Sequence, residues 1–334
     1  MNKKQKFDAL IRGTLPEEET LFYPILMHFA ARYNGYNYGQ FASDYKVLVE
    51  SNVKCLEHFD MDMVSLISDP YRETAAFGAP VEFVAEAVPI CRKSIIQNAD
   101  DVIRLEIPDP TKNQRTLDRI RGVVYYQELL KGTVPVMGWV EGPLAEACDL
   151  AGVSHMLEML MMDEDFSNRL MDTCLVFAKL FAKAQVEAGC DLIGIGDAIC
   201  SQVDEFTYVN YVKDRHMELI DFIHSLGSKV KLHICGNTTH LLRHIADLSV
   251  DIFDPDIVDQ EQCFRTLGKN VIRSGNINPV FIENASPKEV LDACQKAIND
   301  EKGRKFMLSA GCEITVRTPP ENVMAMSESR KTLK

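Results

Sequence analysis

Apolar runs bounded by polar residues recur along the chain, and longer stretches of helical spacing fall between them. The runs that read as strands are LFYPILMHF (21–29), MVSLIS (63–68), VPVMGWV (134–140), DLIGIG (191–196), VKLHIC (230–235), DIFD (251–254), VIRSGN (271–276) and KFMLSAG (305–311). Several are continuous and β-branched, the pattern of strands buried on both faces. SNRLMDTCLVFAKLFAKAQVEAG (167–189) and NYVKDRHMELIDFIHSLG (210–227) place apolar residues at helical spacing and stop at glycine, as helices commonly do. SPKEVLDACQKAIND (286–300) opens with Ser286 as N-cap and Pro287 at the first helical position. Strand then helix, about eight times, predicts an α/β protein, a (β/α)8 TIM barrel forming one domain over 1–334. Residues 71–130, with VEFVAEAVPI and DVIRLEIPDP, read as an inserted N-terminal excursion that caps the barrel.

Composition narrows the partners. A formal net charge of −13 argues against nucleic acid or an anionic membrane surface as the main one. No apolar stretch reaches the roughly 18 residues of a membrane span. MNKKQKFDAL opens the chain with no apolar run behind it, unlike a signal peptide. The 10 cysteines lack the dense spacing of a secreted scaffold. A reducing cytoplasm is expected, with cysteines free or metal-bound. A homodimer is compatible with the chain, and the sequence does not fix the assembly.

In such a barrel, chemistry sits where strands end and the following loops begin. The predicted strand ends carry Trp139 and Glu141, Asp197, His233 and Cys235, Asp254 and Asp256, Asn276, then Cys312 and Glu313. His233 and Cys235 are the sharpest pair. At i and i+2 on a strand their side chains share a face. Zinc takes N, S or O ligands in a tetrahedron, and Cys312 at another strand end supplies a third. His233, Cys235 and Cys312 with one open position make the catalytic rather than the structural type of site. Glu141 or Asp197 is the expected occupant of that fourth position before substrate binds.

Other patterns carry less. His240 and His244 in HLLRH lack the glutamate of a metalloprotease helix and read as an outer helix face. Cys55, Cys174 and Cys294 fall in helical patterns and read as packing residues, while Cys200 lies just past a strand end. GIGDAI has Ile199 where the dinucleotide fingerprint needs glycine, and there is no Walker loop. A neutral histidine and two thiolates balance a divalent ion. An incoming thiol then binds as thiolate and stays electron-rich. That favours alkyl transfer to sulfur over water activation, for which His and carboxylate ligands are commoner.

HICGN (233–237), GNINP (275–279) and SAGCEITVRTPPENV (309–323) resemble the uroporphyrinogen decarboxylase superfamily, and within it the zinc-dependent corrinoid:coenzyme M methyltransferases. The resemblance runs from about Phe22 to the C-terminus. It implies a (β/α)8 barrel with zinc on His233, Cys235 and Cys312. It also implies transfer of methyl from methylcobalamin, or a corrinoid on a separate protein, to a zinc-bound thiol such as coenzyme M. A pterin nitrogen is the other acceptor considered. The decarboxylase branch departs from this chain in two places. In MHFAARY (27–33) His28 stands for the first of that branch's arginines and only Arg32 remains, and Cys312 replaces the histidine of its G-H-G stretch. Asp69 matches an aspartate of that branch. DRHMEL (214–219) has Leu219 where a cobalamin motif needs glycine, so the corrinoid is expected to come from outside.

The expectation is therefore a zinc methyltransferase, with Asp197, Glu141 and Asn276 as catalytic residues and Asp69 and Trp139 as cofactor-binding residues. A metal-free decarboxylase of a porphyrinogen or other carboxylate is the alternative, and a non-catalytic binding barrel the third reading.

Overall fold

A computed structural model describes residues 1–331. Eight parallel strands make one sheet: β1 Leu21–Phe22, β2 Val64–Ser65, β3 Val136–Glu141, β4 Leu192–Gly196, β5 Lys229–His233, β6 Ile252–Asp254, β7 Ile272–Ser274 and β8 Phe306–Leu308. Their order is β1-β8-β7-β6-β5-β4-β3-β2. The seam closes between the ends of that order. The Asp62 amide donates to the Phe22 carbonyl at 2.8 Å, and the Phe22 amide donates to Asp62 Oδ2 at 2.8 Å. The protein is a (β/α)8 barrel.

The run at 21–29 is the clearest departure from the expected elements. Only Leu21–Phe22 is strand, and Met27–Tyr33 is helix. Pro24 has no amide to continue the ladder, and the apolar residues after it turn into a helix that buries Phe29, Ala30 and Ala31. The helices expected at 167–189, 210–227 and 286–300 are Glu164–Glu187, Lys213–Ser225 and Pro287–Asp300. A π-helical turn, Tyr208–Val212, precedes the second of them. Ser286 and Glu289 form a capping box on the third, satisfying amides that the first turn leaves free. Residues 71–130 divide into two parts. Helix Arg72–Ala76, the hairpin Val81–Glu82 with Ile90–Cys91, and helix Ala99–Arg104 are additions, whereas Gln114–Leu130 is the barrel helix between β2 and β3. No helix among the described residues is long and apolar enough to cross a membrane.

One side of the barrel interior is filled by an indole. Trp139 on β3 is 2% exposed. A Cβ at Gly194 would stand 2.3 Å from its ring, and one at Gly196 2.9 Å. The two glycines of LIGIG therefore make room for Trp139, which explains a pattern that does not complete a nucleotide-binding fingerprint.

Candidate metal centre

His233, Cys235 and Cys312 converge at the mouth. Their ligand atoms all lie within 4.8 Å of one another. His233 Nε2 is 2.9 Å from Cys235 Sγ and 3.8 Å from Cys312 Sγ, and the two sulfurs are 3.4 Å apart. Tetrahedral zinc, with bonds of roughly 2.0–2.3 Å, separates its ligands by about 3.5–3.8 Å. Two sides of the triangle are shorter than that, as hydrogen-bonded pairs should be, and the His233–Cys312 side at 3.8 Å matches it. The donor types and spacing fit zinc.

Loop contacts bring the three together. Beyond β5 the chain turns at Gly236, whose φ of 92° suits glycine. The Gly236 amide donates to Asp256 Oδ2 at 2.7 Å. A Cβ on Gly311 would meet Asp256 Oδ1 at 2.5 Å, so the Cys312 loop is seated against the same carboxylate. Asp256 thus couples the neighbours of both cysteines.

Behind the imidazole runs a buried charged chain. His233 Nδ1 bonds Asp254 Oδ2 at 2.9 Å, and Lys231 Nζ lies 2.9 Å from the same oxygen. Lys231 is fully buried, with its ammonium 5.1 Å from the centre of the Tyr23 ring. An acceptor on the second ring nitrogen fixes the tautomer and leaves Nε2 to face a metal. Burial works against a charged His233, but the bonds to Asp254 and Cys312 prevail and hold its pKa up at about 10. The hydrogen bond from Cys235, helped by His233, pushes the Cys312 thiol down to about 4. Donating that bond, together with burial, pushes Cys235 well up.

The other expected site residues are engaged by partners of their own. The triad's ligand group includes neither Glu141 nor Asp197. Glu141 Oε1 accepts from Arg72 at 2.6 Å and from the Trp139 indole at 3.1 Å, and its amide donates to Glu73 at 2.9 Å. Burial, reinforced by Glu73, raises its pKa well above the ordinary range despite Arg72. Asp197 accepts from the Ala145 amide at 2.8 Å and from the Leu144 amide at 3.3 Å, capping helix Pro143–Ala151. It also bonds His216 at 3.0 Å, and His216 bonds Tyr208 at 3.1 Å. Asp197, Cys200 and His216 form a second buried ligand-like group, but these bonds already occupy the carboxylate.

Asn276 gives its amide to the carbonyls of Pro255, Asp256 and Val258 at 2.7–3.0 Å and accepts from Gln260. It holds the β6 loop in place. Asp69 accepts from Ser68 at 2.5 Å, from the Tyr71 amide at 3.1 Å and from Arg115. Burial alone would raise its pKa; Arg115 and Arg72 bring it below the ordinary value. Trp139 packs inside the barrel, its ring centre 6.1 Å from that of His233. His240 and His244 bond Val203 O at 3.0 Å and Glu205 at 2.6 Å. Lys231 was the residue missed. Its signal was in KLHIC: positions 231, 233 and 235 alternate onto one face.

A family model described as uroporphyrinogen decarboxylase (URO-D) matches residues 3–333. The chain belongs to that family. It is 30% identical over 253 residues to a Methanosarcina acetivorans protein, "Methylcobamide:CoM methyltransferase MtbA", covering 74% of this chain and 72% of that one. It is 22% identical over 295 residues to the uroporphyrinogen decarboxylase of a Neisseria meningitidis serogroup C strain, covering 85% and 82%. Among solved structures, a methyltransferase from Methanosarcina mazei superposes with a TM-score of 0.91 at 20% identity, over 100% of this chain and 99% of that one, a likeness of fold.

Proposed function

We propose that this chain, an enzyme of the methyltransferase class, moves a methyl group between a methylcorrinoid on a separate protein and a thiol acceptor, coenzyme M or a thiol like it. The observation that carries the reading is the His233–Cys235–Cys312 triangle at the mouth of the barrel. The relative named as a methylcobamide:CoM methyltransferase supports the donor and acceptor classes.

His233, Cys235 and Cys312 would hold zinc. When bound, zinc supplies the positive charge that keeps a thiol deprotonated near neutral pH. Asp254 orients the imidazole of His233, and Lys231 balances Asp254 within the barrel. Asp256 holds the two cysteine loops against each other. The acceptor's sulfur attacks the methyl carbon of the substrate in line. The S–C bond forms as the Co–C bond breaks, and the electron pair stays on the corrinoid.

The engagement of Asp69 by Ser68, Tyr71 and Arg115 speaks against the decarboxylase alternative, because that carboxylate has few free sites for a tetrapyrrole. In the same reading the chain is one domain over 1–334, and the additions between Arg72 and Arg104 contribute the cap, while Gln114–Leu130 belongs to the barrel.

Metal analysis tests the base of the proposal. Zinc at one equivalent, lost in Cys312→Ser, is expected; a folded, active protein free of zinc overturns it. Incubation with methylcobalamin and a panel of thiols and pterins, followed by loss of the cobalt–carbon absorbance, then names the acceptor.

A further inference from the structure

The two cysteine sulfurs at the mouth come from loops rather than ladder positions. Cys235 follows the end of β5 at His233, and Cys312 follows the end of β8 at Leu308. Both are half-buried, and their sulfurs are 3.4 Å apart. A disulfide bond is about 2.05 Å long, so the sulfurs need approach by only about 1.4 Å. Cys55, Cys148, Cys174, Cys190, Cys200, Cys263 and Cys294 are buried. Cys91 is half-buried, and its sulfur contacts the Lys93 carbonyl at 3.5 Å. Contact with another thiol and access from solvent thus coincide at Cys235 and Cys312.

We propose that Cys235 and Cys312 are a reversible oxidation site at which a peroxide closes a disulfide, withdrawing both sulfur donors from the centre. The bond itself needs no metal; its consequence for metal rests on the function proposed above. In the first step one sulfur attacks a peroxide oxygen. The O–O bond breaks, a sulfenic acid forms and, with hydrogen peroxide, water leaves. In the second step the other sulfur attacks the sulfenic sulfur. The S–S bond forms, the S–O bond breaks, and the oxygen leaves as a second water. The two thiols lose two electrons and two hydrogens, and the peroxide takes up both. The sulfurs are close enough for the second step to compete with further oxidation of the first. A dithiol reverses the sequence by exchange.

The test treats metal-free full-length protein with hydrogen peroxide, then alkylates the remaining thiols and maps peptides by mass. The expected product has lost the mass of two hydrogens, carries a Cys235–Cys312 cross-link, and returns to the starting mass with dithiothreitol. Cys91→Ser forms the same cross-link; Cys312→Ser does not, and leaves a trappable sulfenic acid on Cys235. Separate alkylation of both cysteines after Cys91 has been oxidised overturns the proposal, as does sulfinic acid on either without a cross-link. Zinc-loaded protein, followed with a chromogenic chelator, is expected to release one zinc for each disulfide formed. Protein that cross-links yet never takes up zinc overturns the metal reading and leaves the oxidation site standing. Protein that binds zinc but never cross-links overturns the oxidation site alone.

Discussion

Asp254 Oδ2 stands 2.9 Å from His233 Nδ1 and 2.9 Å from the buried ammonium of Lys231, so one carboxylate oxygen serves both. Loss of such an outer partner typically lowers metal affinity about 10- to 100-fold. Asp254→Asn alone would also strand Lys231 without its counter-ion, a loss of roughly 3–5 kcal/mol where a buried pair is broken. The double variant Asp254→Asn/Lys231→Met separates the two effects. It is expected to recover much of the stability while zinc affinity stays reduced, as measured by chelator competition. Wild-type affinity in the double variant would show that the negative charge of Asp254 does not support metal binding through His233.

Asp197 accepts from the Leu144 and Ala145 amides at the start of helix Pro143–Ala151 and bonds His216. Asp197→Asn is expected to lower unfolding stability by about 1–3 kcal/mol, because a buried acceptor is lost to its donors. Zinc content should stay at the wild-type level. Zinc loss with unchanged urea midpoint would make Asp197 a ligand after all.

The close fit of Trp139 against β4 predicts an overpacking penalty. Gly194→Ala places a methyl where the indole now stands, at a cost of about 1–3 kcal/mol for a crowded core. Thermal unfolding reads the loss. Adding Trp139→Phe should restore part of it, since the smaller ring vacates that space. Equal stability of Gly194→Ala and wild type would contradict the packing described.

Asp149, half-buried near Glu73, gives a pH signature. Burial, then Glu73, raises its carboxyl from 3.8 to about 8 despite Arg72. An unfolded aspartate releases its proton near 4, whereas the folded one keeps it until about 8. Between those values the folded form binds more protons, so this group makes stability fall as pH rises, levelling off above the window. Asp149→Asn removes that slope. The variant should gain on wild type in urea midpoint from pH 5 to 8; parallel curves would refute the shift.

Most of the barrel was legible because its strands are short apolar runs followed by helices with explicit stops, as Ser286, Pro287 and Glu289 illustrate. The run at 21–29 misled because strand and helix share an uninterrupted apolar stretch, and only Pro24 marks the change. The convergence of His233, Cys235 and Cys312 was legible from the alternation at 233 and 235 and from a lone cysteine at another strand end. The hydrogen-bond partners of Glu141, Asp197 and Asn276 were not. Each is a polar residue at a strand end, yet what it does depends on Arg72, on the Ala145 amide or on the β6 loop carbonyls. Such partners lie far off in sequence, and spacing does not reveal them.

Cys235 and Cys312 stand 77 positions apart along the polypeptide. An ion gripping both, with His233, would staple the last four strands into a ring that the denatured chain lacks. By mass action the free zinc level would then set how tightly this half of the molecule stays shut. Hydrogen exchange in β5 through β8 should slow as that level rises, while β1 and β2 respond less.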